Sequence, residues 1–453
     1  MRKLRNSWHL FVFGLLLLLA AFIRFKVAPL SAGPDVAQFW AFAEAFRLYG
    51  LDFYRYAGAT TELFPFQFWA YVYPPVWLLI LGLAYVFVPN VSATHDMVDA
   101  GWRVAAKTPI ILADLSIGIL LYRAVPGQKY RKLLVACLWL FNPATWYNSA
   151  VFGQFDSIAL AFLLAAVILL EKGRDRLAFV LAALAGMTKQ HTFLSIAIMV
   201  VICARLMNWR RLLSNLAILG VTIIAISIPF LVTGNYLDYL KAVLFPGQSP
   251  DYQLPQMFAF NAGSAIMTWL HTAYQWDTLG WIKLGTPLLV LALAASAVLC
   301  YLKKIDLLRG ALIGMLVFVL FFYRINYQYL VIIIALALLI AAKTTHESER
   351  ALALGLAIYP AGWLWLVNVA TWFVYLNPTD TSLIPLLDRL GLTHQGFADY
   401  IYVCFTVIFN LLCLAYLALA FTRWKEPLVS LNGAAFSRPE KAESQTKKPT
   451  ALP

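Results

Sequence analysis

Residues 133–170 read LLVACLWLFNPATWYNSAVFGQFDSIALAFLLAAVILL, two apolar runs held apart by the segment NPATWYNSAVFGQFDS. The runs have no charge to present to water, and the one carboxylate, Asp156, falls where a helix should begin or end. Apolar stretches at 8–28, 211–232, 351–376 and 399–422 approach the ~20 residues that cross hydrocarbon. Of the 453 residues, 62% are hydrophobic, 15% aromatic and 13% charged, against ~25% charged in soluble domains. An ordinary soluble enzyme is excluded. A bilayer offers nothing to bond exposed peptide groups, so the spans must be helices. The expected fold is all-α, a polytopic membrane protein with roughly 11 to 13 membrane helices. The first stretch reads as a retained helix: its apolar run is long and no small-residue cleavage site follows.

The net charge of +13 would suggest nucleic acid in a soluble protein, but topology explains it here and no nucleic acid partner is expected. Of the 35 Lys and Arg residues, 24 fall in seven segments: the N-terminal MRKLR, 123–132, 171–176, 205–211, 303–309, 343–350 and the tail from Arg423. The positive-inside rule assigns these to the cytoplasm. The segments 153–157, 188–191, 233–279, 323–329 and 377–398 then fall on the extracytoplasmic side, as does the loop after the first helix. Segments 72–89 and 102–122 both resemble crossings, yet parity allows only an odd number there. Either one re-enters, or the aromatic 36–49 stretch is itself embedded. The five cysteines lie scattered in apolar runs and read as small core hydrophobes.

Only 12 residues separate the 171–176 loop from Lys189, which is ~18 Å of helix against ~30 Å of hydrocarbon. The run before that loop, 158–170, is similarly short. Asp156 and the TKQH segment (188–191) should therefore lie below the outer surface, in an outward-facing recess. Charges at such depth cost ~2.5–3.5 kcal/mol on the lenient insertion scale and are functional candidates. Asp35, Asp156, Lys189, His191 and Arg324 qualify.

Each candidate has a plainer reading. Asp35 suits a general base within reach of a hydroxyl, or an N-cap for a helix starting at Val36. Asp156 could bind a polar substrate, position a metal, or cap the helix that begins near Ile158. Lys189 and Arg324 could stabilise a phosphate or extend to the interface. His191 is more often a bonded polar group than a ligand. No HExxH, GxxxxGK[ST] or GxSxG is present, which leaves zinc proteases, nucleotide-driven pumps and α/β-hydrolases without their usual signatures.

Taken in order, Asp35 in the first loop, YVYPP (71–75), NPATWYNSAVFGQFDS (142–157), LAALAGMTKQHTFL (181–194), FAFNAGSAIMTWL (258–270) and FYRINYQYL (322–330) resemble the GT-C superfamily. These are integral-membrane glycosyltransferases using polyprenyl- or dolichyl-phosphate sugars. The likeness covers about residues 1–340 and is closest to bacterial polyprenyl-phosphate-sugar and mannosyltransferase-like members.

The resemblance implies a GT-C-like transmembrane domain, taken over 1–424, with amphipathic helices in the first outer loop, while the polar, Lys-, Pro- and Ser-rich composition of 425–453 reads as a disordered cytoplasmic tail. It implies transfer of a hexose such as mannose, with inversion, from a polyprenyl-phosphate donor to a hydroxyl on a glycan, lipid or protein acceptor. The multi-pass protein would lie in the cell membrane with its site on the extracytoplasmic face. Asp35 matches the catalytic base, Lys189 and Arg324 the donor-phosphate residues, and Asp156 the second acid. Gln154, Gln190, His191 and Tyr329 join Asp156 as substrate-binding candidates. The first loop has one acid where many relatives carry two, so a divalent cation stays open as a cofactor and no metal ligand is assigned. RINYQY stands where some relatives have His-Glu-Arg-Tyr. A lipid-linked-sugar flippase or transporter is a rival that predicts repeated halves, and none is visible. An oligosaccharide ligase or polymerase differs only in its acceptor.

Overall fold

The computed structural model describes residues 2–30, 34–56, 70–89, 98–233, 236–244, 260–366, 400–423 and 428. The expected tail over 425–453 and the 377–398 segment lie outside them, apart from Leu428, as does 245–259 of the 233–279 segment. Regular structure among the described residues is helical: α1 (Arg2–Val27), α2 (Pro34–Tyr49), α3 (Phe53–Tyr56), α4 (Pro75–Phe87), α5 (Ala100–Ala124), α6 (Lys129–Leu140), α7 (Pro143–Trp146), α8 (Asp156–Glu171), α9 (Asp175–Thr188), α10 (Thr192–Leu206), α11 (Trp209–Thr233), α12 (Tyr236–Leu244), α13 (Ala262–Tyr274), α14 (Leu279–Leu302), α15 (Leu307–Phe321), α16 (Leu330–Lys343), α17 (Glu347–Leu366) and α18 (Tyr400–Thr422). A π-helical turn, Tyr147–Phe152, joins α7 to the loop before α8.

Among the described residues five segments are long and apolar enough to cross a bilayer: Trp8–Leu30, Ala100–Ala124, Trp209–Thr233, Gly280–Leu302 and Ile401–Thr422. Four shorter apolar helices accompany them, including Pro75–Phe87. Of the two segments at 72–122, the 13 residues of α4 reach ~20 Å and the 25 of α5 reach ~38 Å, so α5 is the one of the pair with the full length of a span. Proline fixes where α4 starts, with Pro74 as its N-cap residue and Pro75 in the first turn. α2 packs on α4 and buries Val36 to Phe39 and Ala41 to Ala43.

α15 and α16 are apolar on every face and almost wholly buried, as a central helix should be. α11 instead presents Val221, Ile224 and Val232 outward. Small residues bring α15 against α10. A Cβ on Gly314 would stand 2.6 Å from Ser195 Cα, and one on Gly310 would stand 2.3 Å from Ile202 Cδ1. This small-xxx-small spacing allows close backbone approach where lipid supplies no hydrophobic drive, and Ser195 Oγ donates to Ala311 O across the contact at 2.7 Å.

Several basic loops are tied down by acids. Arg309 at the start of α15 holds Glu349 of α17 through two bonds of 2.7 and 2.6 Å, and also Asp306 at 2.9 Å. Tyr416 of α18 donates to Glu349 at 3.1 Å. Lys343 at the end of α16 donates to Glu171 at the end of α8 at 2.5 Å. These anchors gather one end of the helices. The other end carries the site.

Candidate active site

The NPATWYNSAVFGQFDS segment explains its own shape. The Asn142 side chain caps α7 by accepting from Ala144 N at 2.9 Å, with Pro143 in the first turn. The π turn after it ends at Gly153, whose φ of +75° lies in the left-handed region. A Cβ there would also stand 2.7 Å from Val36 Cγ2 and 3.2 Å from Lys107 Cε. Only glycine lets this loop close against the start of α2, and that closure sets the next residue beside Asp35. Gly153→Ala should therefore lower both the melting temperature and any activity. The left-handed conformation alone costs about 1–2 kcal/mol, and a thermal melt of the purified protein beside a turnover assay measures both effects.

Gln154 Nε2 donates to Asp35 Oδ2 at 2.6 Å. α2 begins at Pro34, so Asp35 lies inside its first turn and beyond the Trp8–Leu30 span. Burial pushes its carboxyl up to about 6, against the lowering effects of Lys189, the Gln154 bond and Arg324. Asp156 adds to the rise. The charges named from the sequence thus act on one carboxyl from three other segments. Asp35 sits at the same end of the molecule as Lys189.

Two residues past Gln154, Asp156 opens α8 and is fully buried. It does not cap that helix; Phe155 holds the N-cap position without a side-chain bond. Its Oδ2 instead accepts from Lys189 Nζ at 2.5 Å. α9 has only 14 residues, ~21 Å, so Lys189 at its end stays deep, as its length in the sequence required. Lys189 is 1% exposed, which removes the reading in which it extends to the interface. The expected outward recess is closed over this pair. The Lys189 ammonium lies 4.5, 5.1 and 5.7 Å from the ring centroids of Phe155, Tyr329 and Tyr73, within cation–π range.

The remaining candidates surround this pair. Gln190 Nε2 donates to Val72 O of the YVYPP segment at 2.7 Å. His191 stacks on Phe318 with centroids 5.3 Å apart, lies 4.8 Å from the Tyr329 ring, and holds Nε2 3.8 Å from Asp156 Oδ1. Arg324 is partly buried in the segment between α15 and α16. Phe260 N donates to the neighbouring Ile325 O at 2.7 Å. Asn261 donates to Val319 O and Leu320 O, while Asn410 of α18 donates to Phe260 O at 2.7 Å. The 258–270 motif, of which residues 260–270 are described, thus pins the Arg324 segment. α18, which lies beyond the reach of the sequence resemblance, secures that motif.

The buried polar atoms with no hydrogen-bond partner among the described residues include Gln154 Oε1, Asp156 Oδ1, Ser157 Oγ and His191 Nε2. Buried polar groups are nearly always paired, so this grouping suits a polar ligand. Among the described residues no group of three or more His, Cys, Asp or Glu side chains could hold a metal, and Lys189 already faces Asp156.

One buried charge cluster escaped the sequence reading. Arg24 Nε pairs with Asp114 Oδ2 at 2.7 Å, both wholly buried, and Ser149 Oγ donates to the same oxygen at 2.7 Å. The signal was present, since Asp114 lies in the middle of the long apolar α5. The cluster ties α1 and α5 to the π turn, supporting the loop that carries Gln154. Lys107, also buried, donates to Ala28 O at 3.1 Å just before α2.

The family model described as Glycosyltransferase family 87 matches residues 71–322. The chain belongs to that family and is a membrane glycosyltransferase, in agreement with the GT-C resemblance of its motifs. Two solved structures are similar in shape. The apo oligosaccharyltransferase of Archaeoglobus fulgidus aligns over 96% of this chain and 57% of its own length, at 13% identity and a TM-score of 0.40. ArnT from Cupriavidus metallidurans, bound to undecaprenyl phosphate, aligns over 92% of this chain and 78% of its own, at 15% identity and a TM-score of 0.42. This chain therefore spans little more than half the length of the archaeal enzyme. No curated protein matches.

Proposed function

We propose that this protein transfers a hexose, with mannose the first candidate, from a polyprenyl-phosphate sugar to a hydroxyl acceptor. The reaction inverts the anomeric centre and takes place on the extracytoplasmic side. The observation that carries the reading is the meeting of Asp35, Gln154, Asp156, Lys189 and His191 at one end of the bundle, with Arg324 acting on the same carboxyl. The sidedness rests on the basic loops at the other end.

A glycosyl phosphate is already activated, so the protein must supply orientation, a base and positive charge for the leaving phosphate. In the proposed step the acceptor oxygen bonds to the anomeric carbon, its proton passes to Asp35, and the bond from that carbon to the phosphate oxygen breaks. The bonding pair leaves on polyprenyl phosphate. Arg324, partly exposed, meets the phosphate directly. Lys189 contributes from behind, holding Asp156 so that its free Oδ1 and the His191 Nε2 face the sugar hydroxyls.

The test is reconstitution of the full chain in vesicles with a panel of polyprenyl-phosphate sugars. Release of polyprenyl phosphate from at least one donor, dependent on the protein, is expected. Turnover of a nucleotide sugar with no turnover of any lipid-linked one would overturn the reading.

The pH profile supplies a second check. A base must be ionised, so kcat/KM should rise as pH increases through about 6, the value to which burial pushes Asp35. The Gln154 bond lowers that value by favouring the carboxylate. Gln154→Leu should therefore move the rising limb to higher pH, whereas a limb that stays in place would show that the titrating group is not Asp35.

A further inference from the structure

At the end of the bundle opposite the carboxylate cluster lies a cavity of about 660 Å³, lined from two stretches of chain: Gly173–Leu177, and Arg210, Arg211, Ser214 and Asn215. Its size falls in the range of small-molecule sites, roughly 300–1,000 Å³. Four arginines line it, Arg174, Arg176, Arg210 and Arg211, against one acid, Asp175. Asp175 is buried and bonded to Arg211, which holds the two stretches together. Among the described residues Arg174, Arg176 and Arg210 form no ion pair. The start of α9 also contributes, because its N-cap residue, Arg174, provides no side-chain acceptor. The partial positive charge of the helix start is left for another anion.

The surroundings specify what kind of anion. Leu177 is 49% exposed and Leu213 45%, on the two helices that frame the pocket, and Trp209 beside it is 67% exposed. An indole at that position is typical of the membrane–water interface. α11 continues from here with most of its apolar surface outward. A free phosphate would use the guanidinium groups and leave this apolar border idle. A lipid headgroup with its chains attached would use both. Basic loops set topology wherever they lie, but topology alone does not require two distant stretches to enclose a cavity around a fixed acid.

We propose that this pocket binds the phosphate headgroup of an anionic phospholipid from the adjoining leaflet. The headgroup phosphate sits among Arg174, Arg176 and Arg210, and the acyl chains run along Leu177 and Leu213. The ligand is a resident lipid and takes no part in sugar transfer.

Binding is measured on the detergent-solubilised full chain by native mass spectrometry, titrating dioctanoyl phosphatidylglycerol, dioctanoyl phosphatidylcholine and inorganic phosphate separately. Phosphatidylglycerol should bind at least tenfold more tightly than either of the others. Near a membrane surface each basic side chain is worth roughly fivefold in affinity for anionic lipid. The triple variant Arg174→Gln, Arg176→Gln, Arg210→Gln should therefore weaken phosphatidylglycerol binding by about 100-fold while leaving the Arg211–Asp175 pair intact. The corresponding triple lysine variant keeps the charge and should stay within tenfold of the parent, which separates lost charge from lost fold. Equal binding of the two lipids, phosphate binding as tight as phosphatidylglycerol, or an unaffected glutamine variant would each overturn the proposal.

Discussion

Asp35→Asn should reduce release of polyprenyl phosphate from the turned-over donor by a factor of about 10² to 10⁴, the usual contribution of a positioned general base. The protein should meanwhile fold at least as well as its parent. Burial already disfavours the ionised carboxyl, which is why its proton is held up to about 6, and an amide of the same shape removes that cost. Its oxygen can still accept from Gln154 Nε2. The measurement is single-turnover kinetics in vesicles beside a thermal melt. Turnover within a factor of about three of the parent would remove Asp35 as the base, whatever the donor proves to be.

Lys189→Met should show the opposite pattern, losing stability as well as activity. It leaves Asp156 fully buried without the ammonium that faces it at 2.5 Å. Stranding one member of a buried ion pair costs about 3–5 kcal/mol. The double variant Asp156→Asn, Lys189→Met removes both charges and should recover most of the melting temperature, since buried pairs contribute little net stability over neutral replacements. It should not recover turnover, because in the proposed mechanism the site would then lack both the cation behind the phosphate and the carboxylate facing the sugar. Recovery of activity together with stability would reduce the pair to a structural role.

Both predictions concern residues legible in the sequence, and the reason is cost. A charge in an apolar run between basic loops has to be justified by something, and the 12 residues between the 171–176 loop and Lys189 are too few to carry it across the hydrocarbon. The partnerships were less legible. Asp156 could as well have capped α8, and nothing in GQFDS says that its partner is 33 residues away. Gln154 stood out only as a neighbour of Asp156; its bond to Asp35 depends on a left-handed glycine and a π turn, neither of which has a periodicity to read. The Arg24–Asp114 pair went unnoticed because Arg24 lies near a helix end, where an arginine ordinarily reaches water. Helix lengths at 72–122 were hidden for a related reason: hydropathy reports how greasy a stretch is, and 72–89 is greasy throughout while its helix has only 13 residues.

The glycines that bring α10 and α15 into backbone contact have a mechanical consequence. His191 and Lys189 sit immediately ahead of one of those helices and Arg324 just after the other. At Gly314 the two backbones touch, and at Gly310 the Ile198 and Ile202 side chains of α10 fill the space a Cβ would need, so the positive groups flank one tightly packed helix pair. Asp35 on α2 is bonded by Gln154 from the loop before α8, and Gln190, just ahead of α10, bonds Val72 before α4. The spacing of Lys189 and Arg324 is thus tied to that helix pair, and a shift of Asp35 relative to them would have to break the Gln154 bond and the packing of α2 on α4.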